Sequence, residues 1–323
     1  MANSWNLLGY RQKVRLARKV AQRRRTELLK LPNVKSAGWG RRVRGGQLTD
    51  EICVRVRVAK KWVTQAGRPG KIPEELVTFA EVRGQRRRIC VPCDVEAIEK
   101  GEPHAPAGAS RCKARGPSGT EVAGLGTCRV HRKGKPQQGF LLGCDHVLAL
   151  SLKQRLPSPS EIPDISIRLG SLYIGQLVEL GRRADAAIGE AAVSELVDST
   201  LRVGASVEKF SGFLADVDYL PFEYRIPVRT EAGHYTVVEA RWVDTLPGYS
   251  FGGYFGNGES RTIPLAIESE TEIPLWGGTS GAPLIDDNNR LLGMHFWGAG
   301  KRAFAMPIMD VFEAFDPPIR LSL

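Results

Sequence analysis

Apolar positions follow two periods along this chain, and the switch between them divides it. Between residues 5 and 31, Tyr10, Val14, Ala17, Ala21 and Leu28 recur at helical spacing with Arg and Lys on the other faces. This predicts an amphipathic helix closed by Pro32. From Val34 the period drops to two. The segment VKSAGWGRRV, the turn RGGQLTDE and the run ICVRVRVAKK read as a hairpin with one buried face. That face would carry Ile52, Val54, Val56 and Val58, leaving Cys53, Arg55 and Arg57 on the other. RPGKIPEEL predicts a loop and a short helix, and VTFAEVRGQRRRICVPCDV a second hairpin turning at Gly84. Residues 1–104 therefore read as a small α+β module, and the Pro-, Gly- and Ala-rich residues 105–116 as a linker. Residues 117–323 carry short apolar runs separated by turns, the pattern of a β-barrel or sandwich. A closing helix is expected over Pro307–Phe315, and no internal repeat is visible.

Composition agrees with this division. The 323 residues are 42% hydrophobic and 25% charged, with no apolar run long enough to cross a bilayer. Thirty-five glycines and 20 prolines favour turns and short strands, so the expected class is mainly β. The net charge of +11 suggests nucleic acid until it is located. Residues 1–44 hold 13 Lys and Arg against one acid, Glu27, and that local +12 leaves the rest near −1. Residues 11–44 fit either a solvated helix face or a contact with nucleic acid, an acidic partner or anionic lipid. The short WNLLGY stretch is followed by neither an apolar core nor a cleavage site, which argues against a secretory signal. Arg-richness resembles an organelle transit peptide, but Ser is scarce. Six cysteines without a secretion signal read as reduced thiols, and a cytoplasmic location is the expectation, with organelle import as the alternative.

Three stretches carry candidate chemistry. In LLGCDHVLA, His146 ends an apolar strand and opens a helix-compatible turn; in RADAAIGE, Asp185 sits among small residues; in GGTSGAP, Ser280 sits among glycines. A serine hydroxyl is a poor nucleophile unless a histidine takes its proton, and the histidine needs a carboxylate to fix its tautomer. Glycines allow a turn that aims backbone N–H groups in one direction.

In that order, GCDHVLA, ADAAI and GTSGAPLI…LLGMHFWG resemble the His, Asp and Ser motifs of trypsin/chymotrypsin-like serine proteases across residues 117–323. The resemblance implies a mainly β fold: a double β-barrel trypsin-like protease domain, preceded by a small α+β domain with a basic N-terminal helix. It implies a Ser280 nucleophile, a His146 general acid/base, an Asp185 partner, and an oxyanion hole from the N–H groups of Gly278 and Ser280. It implies that the strand His295, Phe296, Trp297, Gly298 pairs with substrate backbone. Trp297 and Gly298 would line the pocket entrance, and ETEIPLW, with Trp276, its wall. Glu272 favours a basic side chain in that pocket, Pro274 and Trp276 a small or apolar one. The N-terminal module is similar to that of a non-secreted branch that includes narrow-leaf type plant proteases and bacterial relatives. Thr279 departs from the secreted members, which carry there an aspartate that captures a freshly cut N-terminus. No Ile/Val-Val-Gly-Gly start occurs near residue 117. Control by the N-terminal module or by assembly, including a homo-oligomer, is the expectation.

Other residues compete. Asp164 and Asp198 are alternatives to Asp185, and Asp145 reads as a solvent or capping residue. His295 reads as packed or outward, and His104, His131 and His234 lie in polar or turn-like stretches. Cys90 and Cys93 form a CxxC, and Cys128, His131, Cys144 and His146 offer mixed ligands. No second CxxC sits at finger spacing, so neither a metal nor a cofactor is expected. The two functional classes are an endopeptidase acting on a protein substrate and a protease-fold binding protein working through its basic N-terminal segment.

Overall fold

A computed structural model describes residues 4–45, 47–59, 72–97, 112–116, 121–149, 157–169, 172–190, 200–203, 206–251 and 260–322. It separates into two compact units, one of Met1–Lys100 with Trp242–Pro247, the other of Gly101–Arg241 with Gly248–Leu323.

The first unit opens on a 3-10 turn, Ser4–Leu7, and helix α1, Tyr10–Leu29. The helix begins at Tyr10 because Gly9 is extended, its N–H donating to Gln12 Oε1 at 3.0 Å. Val14, Leu16, Ala17, Val20, Ala21 and Leu28 are buried, and the helix packs on strands β1, Val34–Arg44, and β2, Gln47–Val58. Strands β3, Glu75–Val82, and β4, Gln85–Ala97, form the second hairpin, turning at Arg83 and Gly84, both at positive φ. Of the stretch RPGKIPEEL, residues 68–71 lie outside the described residues. The short helix is not formed at its end: Glu75 and Leu76 are already strand, paired with Pro92 and Val91. Cross-strand pairing overrides local helix propensity there.

One expectation is corrected outright. From Ile52 to Val58 both faces of β2 are buried, with Arg55 only 1% and Arg57 only 5% exposed. The charged face tolerates burial because Asp244 joins it: Trp39 and Gly40 of β1 pair with Thr245 and Asp244. Asp244 Oδ2 lies 3.3 Å from Arg55 Nε and 3.4 Å from Arg57 Nε, and Glu96 pairs with both guanidinium groups. The GWG of β1 permits the approach. A Cβ at Gly38 or Gly40 would stand 2.2 Å from a carbonyl oxygen of Thr245 or Val243.

In the second unit the strands are β5 Cys112–Arg115, β6 Glu121–Gly124, β7 Cys128–Arg132 and β8 Lys135–Gly143. Helix α2, Asp145–Leu148, follows, then β9 Ser166–Leu169, β10 Leu172–Leu180 and β11 Ala187–Glu190. A small hairpin, β12 Thr200–Val203 and β13 Ser206–Lys209, precedes β14 Gly212–Phe213, β15 Glu223–Arg229 and β16 Tyr235–Phe251, whose Trp242–Pro247 stretch belongs to the first unit. The chain continues through β17 Arg261–Thr271, β18 Pro283–Ile285, β19 Arg290–Ala299 and β20 Arg302–Pro307. It closes with α3 Ile308–Phe312 and β21 Ile319–Leu321. Strands β21-β7-β8-β11-β10-β9-β5-β6 form an eight-stranded sheet. Strands β15-β18-β19-β20-β17-β16 neighbour one another in that order, and β15 also pairs with β16, so six strands close into a ring. The mainly β architecture with a leading helix is the one the sequence predicts.

Candidate active site

The pairing of β8 with β11 sets the first two side chains. Gly143, ending β8, lies opposite Ala187, beginning β11. Leaving β8, Cys144 caps α2, which carries His146; entering β11, Asp185 sits in the bend before Ala187. His146 Nδ1 lies 2.7 Å from Asp185 Oδ2. The second carboxylate oxygen, Oδ1, accepts the backbone N–H groups of Asp145 at 3.0 Å and His146 at 3.2 Å. Both side chains are fully buried. Burial alone would raise the Asp185 carboxyl, but its hydrogen-bonded partner His146 and the nearby Arg261 hold it well below the usual carboxylate range. An ionised Asp185 accepts from Nδ1–H, which makes Nε2 the basic nitrogen of the neutral ring.

Ser280 lies, fully buried, in the loop between β17 and β18. Hydrogen bonds hold that loop from several sides. Thr279 Oγ1 donates to Trp276 O at 2.8 Å and accepts the Arg229 N–H at 3.1 Å. Arg229 Nη1 donates to Gly277 O at 3.0 Å, Tyr235 Oη to Gly278 O at 3.2 Å, and the Ala282 N–H to Thr279 O at 2.9 Å. In a trans peptide the N–H points opposite to the C=O of the same unit. The bonds to Gly277 O and Thr279 O therefore fix where the N–H groups of Gly278 and Ser280 point. Gly278 holds φ at 101°, and Gly281 at 90°, where a Cβ would fall 1.9 Å from Leu125 O.

The loop is fastened to the segment bearing His146. Leu125 N–H donates to Ser280 O at 2.7 Å and Thr127 Oγ1 to Gly281 O at 2.7 Å. His295 O accepts the Gly281 N–H at 2.8 Å and the Cys144 thiol at 3.2 Å. The neighbour of Ser280 and the residue two before His146 thus meet at one carbonyl oxygen.

The remaining expected residues divide. Trp276 is 42% exposed, whereas His295, Phe296, Trp297 and Gly298 are buried on β19. The Phe296 and Trp297 rings pack on Phe251, with centroids 5.0 and 5.2 Å away, and β20 pairs with His295, Trp297 and Gly298. Side chains here serve the core, and the His295 backbone is engaged within the protein, its N–H donating to Ala282 O at 2.8 Å. Asp164 is exposed on the 3-10 turn Ile162–Asp164, and Asp198 lies outside the described residues. Asp145, read as a solvent or capping residue, is instead fully buried and paired with Arg261. Burial pushes its carboxyl well above the usual range, and Arg261 opposes that push. Sequence reasoning missed Arg229, Tyr235 and Arg261, which act from far along the chain and form no local motif.

Cys144, His146 and Asp185 offer donor atoms within 4.8 Å of one another, which raises a metal. The donor geometry and chemistry fit poorly. Two ligands on one tetrahedral zinc, at bonds of about 2.0–2.1 Å, stand about 3.3 Å apart, whereas His146 Nδ1 and Asp185 Oδ2 are 2.7 Å apart. Metal binding needs a thiolate, but burial raises the Cys144 thiol well above its ordinary value. The same shift makes Cys144 a poor nucleophile. Cys90 and Cys93, three residues apart on β4, project to opposite faces of the strand, as do Cys128 and His131 on β7.

No protein-family profile and no curated protein matches this chain. Among solved structures, the active form of the Rv3671c protease from M. tuberculosis is similar at 18% identity, covering 64% of this chain and 78% of its own, with a TM-score of 0.42. Nocardiopsis protease (NAPase) is 12% identical, covers 65% of this chain and 96% of its own, and has a TM-score of 0.41. The HtrA-type protease AlgW with a tripeptide is 18% identical, covers 64% and 58%, and has a TM-score of 0.40.

Proposed function

We propose that this chain is a serine endopeptidase of the trypsin/chymotrypsin-like kind, cutting a protein substrate through an acyl-enzyme intermediate. The observation that carries the reading is the buried His146–Asp185 pair at 2.7 Å, with the Ser280 loop fastened to the segment that bears it. Ser280 Oγ attacks the scissile carbonyl as His146 Nε2 takes its proton. Asp185 stabilises the imidazolium, and the N–H groups of Gly278 and Ser280 receive the oxyanion. His146 then gives its proton to the leaving amine, and water, activated by the same nitrogen, releases the acyl group. No described helix is long and apolar enough to cross a membrane, and Cys53, Cys90, Cys93, Cys128 and Cys144 are free thiols. A cytoplasmic setting is a separate part of the proposal. Likeness to the non-secreted branch is part of it too, with control by the N-terminal module or by assembly. A fluorophosphonate probe tests the reading: wild type should label, Ser280→Ala should not, and equal labelling of the two would refute it. Deleting residues 1–100 tests the control, since activity and its regulation unchanged by the deletion would remove that part.

One observation favours the second reading, a binding role for the N-terminal segment. On α1, Lys13 lies over Trp5, Arg18 over Trp39, Arg24 pairs with Glu27, and Arg25 donates to Pro247 O. Arg11, Arg15, Lys19 and Arg23 are exposed and four residues apart, a row with a step of roughly 6 Å along the helix. An exposed basic row of this kind is a surface that a polyanion such as nucleic acid can meet.

A further inference from the structure

Arg261 touches both arms of the histidine–aspartate pair at the same chain offset. Its Nη1 donates to Asp145 Oδ2, the side chain immediately before His146. Its Nη2 donates to Ala184 O, the carbonyl immediately before Asp185. Asp145 is fully buried and the Arg261 side chain is only 14% exposed. The Asp145 backbone N–H closes the circuit, donating to Asp185 Oδ1 at 3.0 Å. One planar fork thus spans two chain segments that otherwise meet through the β8–β11 register and the Asp185 carboxylate. A bidentate guanidinium can hold two acceptors in fixed directions, which an ammonium cannot.

We propose that Arg261 and Asp145 are positioning residues: a buried brace that fixes His146 against Asp185 for proton transfer. This rests on the serine-protease reading and adds a part to it. The brace also supplies charge. Its guanidinium helps to hold Asp185 ionised and opposes the upward push of burial on Asp145. Nothing in the GCDHVLA and ADAAI motifs calls for an arginine, and Arg261 lies at the start of β17, remote from both in sequence.

The test is a double-variant cycle read by the rate of fluorophosphonate labelling, with thermal midpoints taken alongside. Arg261→Gln and Asp145→Ala should each label roughly tenfold more slowly, the scale on which sub-ångström misplacement of a catalytic group acts. The double variant should be no more than about threefold slower than the worse single, because a broken brace cannot be broken twice. Arg261→Lys, which keeps charge and bulk but reaches one acceptor, should fall between wild type and Arg261→Gln. In NMR spectra, the low-field His146 Nδ1–H resonance should broaden or move in Arg261→Gln. Labelling of both single variants at the wild-type rate overturns the brace, as does a double variant whose loss is the product of the two. Arg261→Lys indistinguishable from wild type overturns its bidentate character. If wild type labels no better than Ser280→Ala, the protease reading itself fails and the brace falls with it.

Discussion

Thr279 shows how a single side chain can preform a loop. Its hydroxyl bridges Trp276 O and the Arg229 N–H. Thr279→Val should slow fluorophosphonate labelling by about tenfold while changing thermal stability little, and Thr279→Ser should restore most of the rate. Labelling kinetics of the two variants check this. Gly281 is stricter. With φ at 90° and only 1.9 Å between a Cβ and Leu125 O, Gly281→Ala should give protein that either fails to fold or does not label. Soluble yield followed by labelling distinguishes those outcomes, and a fully active variant would contradict the geometry. The pairing of His146 with Asp185 was legible in the sequence because GCDHVLA and ADAAI each mark one side chain within a few positions. Arg229, Tyr235 and Arg261 were not, because each acts on a segment far away in the chain and looks like any surface polar residue on a strand.

The strand ICVRVRV marks the limit of reading elements by alternation. Its period of two is correct, yet both faces are buried, since the alternation cannot reveal that Asp244 will cover Arg55 and Arg57. Asp244→Ala should destabilise the first unit by about 1–3 kcal/mol, measured by denaturant unfolding, because it takes the one fully buried carboxyl from two guanidinium groups that Glu96 still pairs. Burial raises the Asp244 carboxyl to about 6 despite both arginines. A folded-state value above the unfolded one means that the native state holds the proton more tightly. The contribution is complete below about pH 4 and is lost as pH rises towards 6, by roughly 3 kcal/mol at most. Asp244→Asn should therefore flatten stability against pH across that window; an unchanged slope would contradict this. The predicted short helix at IPEEL failed for a related reason, since pairing with β4 decides the conformation of Glu75 and Leu76.

For the whole molecule, the sequence separated a basic N-terminal segment from a near-neutral remainder and read the latter as mainly β, in agreement with the fold. It could not anticipate that residues 242–247 complete the first unit, because nothing local distinguishes them from the rest of β16. The charge itself makes a prediction. Replacing Arg11, Arg15, Lys19 and Arg23 with Gln should weaken nucleic-acid binding and lower the dependence of log K on log salt by up to about 3–4; absence of binding by wild type at low salt would dispose of that role. The central claim is that Ser280 is a nucleophile activated by His146 and Asp185. The most direct measurement is mass spectrometry of protein treated with a fluorophosphonate, locating the adduct by peptide. The adduct should form on the peptide containing Ser280 in wild type and be lost in His146→Ala, whose Ser280 is intact. An adduct elsewhere, or one that forms equally in His146→Ala, would contradict it.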